Sequence, residues 1–192
     1  MTDALIHEAV ITTLGASGRA HITPLGYRCE GNTVVLAPFV PSHTLDNLRR
    51  HPEAVLNFTT DVRVIAGALT GRREWPVVAS SKVAVPRLAE CLAHWELKVV
   101  TTHEDPERPR FLCERVLGAT HEAFTGFNRA QAAVVELAIL VSRLDWLAPA
   151  QVRAERSYLQ HAVDKTGGPR EREAWHWLTS AVDAHPRHGA AA

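Results

Sequence analysis

Polar and apolar residues alternate in short runs through the first two thirds of the chain, and turn residues separate the runs. This period of two is typical of strands that bury one face. Two of the runs flank Glu30-Gly31-Asn32, and this arrangement predicts a β-hairpin. The strands that we predict are Ala9–Leu14, His21–Cys29, Thr33–Ala37, Ala54–Thr59, Trp95–Thr102 and Phe111–His121.

Short helices are predicted between these strands, at Thr44–His51 and Val62–Leu69. Pro52 ends the first of them, because the residue before a proline avoids helical geometry. The segment Val77–Val85 has no clear period, and we predict it to be irregular or weakly extended. A turn of helix is predicted to follow at Leu88–Leu92.

The last third of the chain changes to a helical period of three to four residues. Asn128 is a favoured N-cap residue for the first helix. Pro149 can open a second helix that runs to about Asp164, and Gly167-Gly168-Pro169 then separates it from a third. The apolar residues at helical spacing in the first helix are Ala133, Leu137, Leu140, Val141 and Leu144.

Strands followed by a run of helices predict an α+β fold, with an antiparallel β-barrel or sheet and a three-helix appendage. We place the barrel domain at residues 1–124 and the helical extension at residues 125–186. Residues 187–192 are predicted to be a disordered tail.

Composition limits the classes of function. The chain has 192 residues, enough for a real core, and 21 basic against 21 acidic residues. This balance argues against a broad surface for nucleic acid or anionic membranes. The three cysteines show no disulfide or zinc pattern, which predicts a cytoplasmic protein. The longest apolar stretch, residues 130–147, contains charged residues and predicts a buried helix rather than a membrane span.

Familiar catalytic and metal motifs are missing from the sequence. HExxH, GxSxG, GxGxxG and GxxxxGK[ST] do not occur, so we expect no bound metal and no Rossmann or P-loop site. The eleven histidines are scattered. His94 and His121 come close together only if the strands that carry them pair.

The start of the first short helix is a candidate anion site. Ser42 can cap this helix, and Thr44 and Asn47 lie one turn apart on one face. Free backbone N–H groups and the helix dipole favour a phosphate at such a position. An ordinary N-cap without a ligand explains the same residues, and from the pattern alone it is the more common reading.

Two further segments could line the same site. In Thr23-Pro24-Leu25-Gly26, the proline lacks an N–H and suits a wall beside a ligand, and the glycine permits close backbone approach. A barrel corner would explain them equally well. Asn57 and Thr59 share one side of a strand, while Asp61 either joins them or caps the helix that follows.

Five separated segments resemble domain-of-unknown-function family 447, in order and over nearly the whole chain. This family belongs to the FMN-binding split-barrel superfamily, alongside flavin reductases and pyridoxamine-phosphate-oxidase-like proteins. The segments are H-I-T-P-L-G (21–26), A-P-F-V-P-S-H-T-L-D-N-L (37–48), N-F-T-T-D-V-R (57–63), G-F-N-R-A-Q-A-A-V-V-E (126–136) and D-K-T-G-G-P-R-E-R-E-A-W (164–175).

The resemblance implies a fold and a function. The fold would be an FMN-binding split β-barrel, antiparallel and Greek-key-like, with a C-terminal three-helix extension, and the protein would be a homodimer with FMN near the subunit interface. The function would be FMN-dependent transfer of electrons or hydride to an unknown small molecule, for which a pterin of one-carbon metabolism is one candidate. The alternatives are an FMN carrier or sensor without turnover, and a dimeric scaffold that has lost its flavin.

The resemblance also assigns residues to the FMN site. Three positions depart from the family. Arginine is often found where this chain has His43, and because neutral histidine offers one donor, phosphate binding is expected to be weaker or pH-dependent. Alanine is common where this chain has Thr23, and a second aspartate is common where it has Thr60. The implied residues are Ser42, His43, Thr44 and Asn47 at the phosphate, Thr23, Pro24, Leu25 and Gly26 beside the ring or ribityl chain, Asn57, Thr59 and Asp61 in the same pocket, and Asn128 and Arg129, which either close the site or dock the helices.

Overall fold

A computed structural model describes residues 5–189, and contacts within the chain divide it into two compact units. The barrel unit comprises the chain up to Thr59 together with Glu74–Phe124. The helical unit comprises Thr60–Arg73 and the chain from Thr125 onward. Contacts therefore group Thr60–Arg73 with the C-terminal helices, whereas the domain prediction includes this segment in residues 1–124.

Six strands of the barrel unit form a closed antiparallel barrel. They are β1 (His7–Leu14), β2 (Ala20–Glu30), β3 (Thr33–Leu36), β4 (Glu53–Phe58), β7 (Ala93–His103) and β8 (Arg110–Thr120). Their order around the barrel is β1-β2-β3-β8-β7-β4. The predicted hairpin is confirmed, because Gly31 and Asn32 connect β2 to β3 and Gly31 adopts a φ of 61°.

The barrel interior holds an apolar core, because alternate residues of each strand point inward. Helix α1 (His43–Arg50) adds Leu45 and Leu48 to this core. The largest strand residues that are fully buried there are Ile11, Leu36, Leu56, Leu97 and Phe111.

Residues 79–86, which we call the cover segment, pack on the outer face of the barrel. Val83 and Val85 of this segment form a small apolar cluster with Val55 of β4. Side chains of β4 and β7 accept hydrogen bonds from the backbone of the cover segment: Glu53 from the Ala84 N–H at 2.8 Å, and Glu96 from three successive N–H groups. Acceptors on the sheet therefore replace the strand partners that this irregular segment lacks.

The predicted helical turn at Leu88–Leu92 is wrong. Arg87–Leu88 instead forms a short strand, β6, that pairs with β5 (Val77–Val78). The Leu88 N–H donates to the side chain of Asn57 at 2.8 Å, and the Ala89 N–H donates to the carbonyl of Pro76 at 2.9 Å. Long-range acceptors thus take the N–H groups that a helical turn would have used.

The helical unit contains α2 (Arg63–Leu69) and the three helices predicted at the C-terminal end, α3 (Arg129–Val141), α4 (Pro149–Thr166) and α5 (Pro169–Ala184). Leu137, Trp175 and Leu178 form part of its apolar core, and α2 contributes Ala66. Within residues 5–189, no helix combines the length and apolar character that crossing a membrane would require.

The predicted disordered tail lies only partly within the described residues. Residues 190–192 fall outside them. Residues 187–189 form a turn, in which the ring of His188 is 6% exposed and donates to the carbonyl of Leu144 at 2.7 Å.

Thiol reactivity provides a first test of this fold. Cys29 is exposed, whereas Cys91 and Cys113 are buried, and burial raises the pKa of Cys91 and raises that of Cys113 to about 12. Because the thiolate is the reactive form, only Cys29 should react quickly with an aromatic disulfide reagent in the native protein. Native protein should therefore release one equivalent of chromophore and denatured protein three. A Cys29→Ser variant that still reacts quickly when native would contradict this arrangement.

Candidate functional site

The N-terminus of α1 is built as the sequence predicts. Ser42 has extended backbone angles, and its Oγ accepts a hydrogen bond from the Leu45 N–H at 3.3 Å. A serine hydroxyl has two acceptor lone pairs and one donor hydrogen, so this capping bond leaves the hydroxyl able to donate to a ligand. Arg49 and Arg50 in the last turn complement the helix dipole.

A buried hydrogen bond fixes α1 against the barrel. Asn47 Nδ2 donates to Thr13 Oγ1 of β1 at 3.0 Å, and Asn47 is 5% exposed. Thr44 is also buried, at 4%. The amide of Asn47 therefore holds the helix in place, so that Ser42 is presented on a rigid element.

Sequence reasoning missed His21, which lies beside this helix start. The rings of His21 and His43 meet edge to face with centroids 5.7 Å apart. His21 pairs across the sheet with Thr13, the residue that binds Asn47. Its position two residues before Thr23 on the same strand was the available signal, since such residues share one side of a strand.

The structure places the predicted Thr23–Gly26 segment on both faces of β2. Leu25 packs on the barrel core, and by alternation Thr23 shares this face. Pro24 and Gly26 lie on the opposite face, where a Cβ added at Gly26 would come within 3.0 Å of Ile6. At most two of these four residues can therefore line the same pocket.

Asn57 is engaged entirely within the barrel unit. It is fully buried, and its Nδ2 contacts Thr12 Oγ1 at 2.9 Å and the carbonyl of Val10 at 3.2 Å, while its Oδ1 accepts the Leu88 N–H. Both polar atoms of the side chain therefore have protein partners. Thr59 lies just beyond the end of β4 and is partly exposed.

The other predicted residues, Asp61, Asn128 and Arg129, belong to the helical unit. Asp61 is 7% exposed, accepts the Arg63 N–H at 3.1 Å and forms a 2.6 Å ion pair with the Arg63 guanidinium. The N-cap of α2 is Val62 rather than Asp61, so the capping prediction holds only in that Asp61 accepts the N–H of the first helical residue. The carboxylate also raises the pKa of Arg63 and so keeps that side chain charged.

Asn128 caps α3, as the sequence predicts. Its Oδ1 accepts the N–H groups of Ala130 and Gln131 at 2.8 and 3.2 Å, and its Nδ2 donates to the carbonyl of Thr166 at 3.0 Å. Arg129 is exposed on the first turn of α3. Both polar atoms of the Asn128 side chain thus have partners within the helical unit.

Solved structures with the same architecture cover most of this chain. An FMN-bound protein from Methanosarcina mazei, described as a DUF447 protein, matches with a TM-score of 0.79 and 17% identity, over 92% of this chain and 94% of that one. Flavoredoxin from Methanosarcina acetivorans matches at 0.50 and 19%, over 64% and 74%. Nitrilotriacetate monooxygenase component B from Mycobacterium thermoresistibile matches at 0.53 and 15%, over 62% and 72%. These likenesses confirm the predicted split-barrel fold.

Family models match both units of the chain. The N-terminal domain of the protein of unknown function DUF447 matches residues 7–122, and the DUF447 C-terminal model matches residues 128–180. Together they span well over half of the sequence and confirm the resemblance drawn from its motifs. The chain therefore belongs to the DUF447 family.

Proposed function

We propose that this protein binds FMN, with the phosphate at the N-terminus of α1, and that it is an FMN-dependent oxidoreductase acting on a small molecule. The observation that carries the proposal is the geometry of Ser42, whose hydroxyl caps the helix and can still donate a hydrogen bond. The FMN-bound DUF447 protein of Methanosarcina mazei supports the choice of cofactor.

The residues around α1 suit a phosphate. The first turn of a helix offers N–H groups and a positive dipole end, and hydrogen bonds to a charged group contribute about 1.5–3 kcal/mol each. Ser42 and the exposed His43 can donate to the same anion. The ring of His21 lies beside His43, in edge-to-face contact with it.

The bound flavin would supply the redox chemistry, and the protein would bind and orient it. Such a role needs no nucleophile or metal cluster in the chain. The electron or hydride acceptor is a small molecule, and a pterin is the first compound that we would test. Homodimer formation and a cytoplasmic location remain predictions; light scattering of the purified protein tests the first.

Replacing Ser42 with glycine tests the phosphate position. Glycine at an N-cap costs the helix only a few tenths of a kcal/mol, so this change removes the hydroxyl with little effect on α1. FMN titrated into the protein, followed by flavin fluorescence, should bind about tenfold more weakly to Ser42→Gly than to the unchanged protein. The matched control is Ser17→Gly in an exposed turn, which should bind as the unchanged protein does. Equal affinity in both variants would place the phosphate elsewhere.

Reduction of the bound flavin separates an enzyme from a carrier. We expect NADH or NADPH to bleach the yellow protein, and a pterin or another acceptor to restore the colour. A yellow protein that neither nicotinamide reduces would favour the carrier or sensor. A colourless protein that does not bind added FMN would contradict both the enzyme and the carrier hypotheses. It would favour the scaffold that has lost its flavin, a hypothesis suggested by His43 in place of arginine.

A further inference from the structure

A buried carboxylate lies under the cover segment with no role in the proposed flavin site. Glu96 of β7 is fully buried, and its two oxygens accept the N–H groups of Ser81, Lys82 and Val83 at 2.8, 2.6 and 3.2 Å. Burial alone would disfavour ionisation, but these hydrogen bonds and one from His94 outweigh it, and the pKa of Glu96 lies below its ordinary value. Glu96 is therefore an acceptor-only carboxylate at neutral pH.

Two histidines, His94 and His121, connect this carboxylate to the surface through hydrogen bonds. His94 is 4% exposed, with Nε2 3.3 Å from a Glu96 oxygen and Nδ1 2.9 Å from Nε2 of His121. The two imidazole rings are stacked at 5.0 Å and are nearly parallel. His121 is exposed, and its backbone N–H donates to the carbonyl of Leu92 at 2.7 Å, which fixes the start of its side chain.

The carboxylate determines which ring nitrogens carry protons. Because ionised Glu96 can only accept, His94 Nε2 must donate to it. A neutral His94 then has a lone pair on Nδ1, so His121 Nε2 must donate in turn. This leaves the lone pair of His121 on Nδ1, the ring nitrogen that has no partner in this chain of hydrogen bonds. The same logic orients the histidine of a carboxylate–histidine catalytic pair.

Charged groups around His121 keep this lone pair free. Partial burial, Arg87 and His94 lower the pKa of His121, and they outweigh the opposite effect of Glu122. Arg87 comes from β6 and also influences the nearby thiol of Cys91. A base must be unprotonated before it can act, and these surroundings favour that state at neutral pH.

We propose that His121 Nδ1 is a general base at the surface of the barrel unit, that His94 and Glu96 position it, and that it takes a proton from a weakly acidic O–H or N–H group of a small molecule. The substrate's proton bonds to Nδ1, the Nε2 proton of His121 passes to His94 Nδ1, and the substrate leaves as its conjugate anion. The positive charge then rests on His94, beside the Glu96 carboxylate. This function is separate from flavin binding and uses none of the residues of α1.

The tautomers of the two histidines provide the direct test. Nitrogen-15 NMR of the histidine rings in the unchanged protein should show His94 and His121 both protonated at Nε2 at neutral pH. Finding His121 protonated at Nδ1 would overturn the proposal, because the lone pair would then face His94. This measurement needs no variant, so misfolding cannot obscure it.

Chemical reactivity tests the consequence of positioning. Diethylpyrocarbonate acylates an unprotonated imidazole, and mass spectrometry of peptides gives a rate for each histidine across a pH series. His94→Phe keeps an aromatic ring but removes the acceptor that holds the lone pair of His121 on Nδ1. At a pH where His121 is unprotonated, its rate of acylation should therefore fall about tenfold, as is typical when the partner that orients a histidine is lost. The exposed His7 and His103 are internal controls and should react at unchanged rates. An unchanged rate and pH profile at His121 would show that His94 does not activate it.

Discussion

Replacing Asn57 with alanine is expected to lower the free energy of unfolding of the barrel unit by about 3 kcal/mol. The side chain is fully buried and its two polar atoms bind Thr12, the Val10 carbonyl and the Leu88 N–H. Its removal leaves these groups without partners, and each buried unsatisfied group costs about 1–3 kcal/mol. Urea titration followed by circular dichroism measures the loss. Hydrogen exchange at the Leu88 amide should accelerate in parallel.

The matched control is Asn32→Ala in the exposed turn between β2 and β3. Asn32 does not adopt a positive φ, so alanine fits its backbone, and stability should change by no more than about 0.5 kcal/mol. The comparison also decides between two roles for Asn57. An Asn57→Ala protein with the stability of the unchanged chain but weaker FMN binding would make Asn57 a flavin residue, as the family resemblance implies.

The strands and helices could be predicted because their signals are local. The alternation at 21–29 and 33–37 and the glycine between them specify a hairpin, and the predicted strands differ from β2 and β3 by at most one residue at each end. Pro149 and Pro169 open the helices that they were expected to open. Caps and turns act over a few residues, so one sequence is enough to recognise them.

The features that sequence reasoning missed depend on partners far along the chain. The Leu88–Leu92 prediction failed because Asn57, 31 residues away, accepts the Leu88 N–H. Thr60–Arg73 groups with the C-terminal helices because Ala66 packs among residues such as Leu137. No local sequence pattern predicts this packing. Non-local contacts of this kind override propensity.

The two helix caps among the candidate site residues could be predicted from the sequence, because a cap is a local signal. Ser42 and Asn128 are residue types that favour helix N-caps, and both cap helices in the structure. Three other contacts form only when distant segments of the chain meet. They are the hydrogen bond from the Asn47 amide to Thr13, the ring contact of His21 with His43, and the hydrogen-bonded row from Glu96 through His94 to His121. The residue types indicated a polar site. The fold of the barrel determines which polar atoms of that site already have hydrogen-bond partners within the protein.

Replacing Glu96 with glutamine is expected to cost about 3 kcal/mol of unfolding free energy at neutral pH. In the unchanged protein, both carboxylate oxygens of Glu96 accept N–H groups of the cover segment. Glutamine has nearly the same shape, but it replaces one of these oxygens with an NH₂ group, which cannot accept. At least one buried N–H then lacks an acceptor. Hydrogen exchange should rise at Ser81, Lys82 and Val83, while strands on the far side of the barrel keep their protection.

The cost of Glu96→Gln should also depend on pH, with a defined sign. An unfolded glutamate has a pKa of about 4.3, and folding lowers the pKa of Glu96 below its ordinary value. The stabilisation by the carboxylate is therefore complete above about pH 4.3 and is lost as the pH falls through the folded pKa. Urea titrations at neutral pH and in acid should show the two proteins converging as the pH falls. Glu114→Gln, on an exposed position of β8, should show no comparable difference at either pH. A gap that stays constant into acid would mean that folding leaves the pKa of Glu96 unchanged. A gap that widens into acid would mean that the folded protein holds Glu96 protonated, and His94 would then lose the charged partner that orients it towards His121.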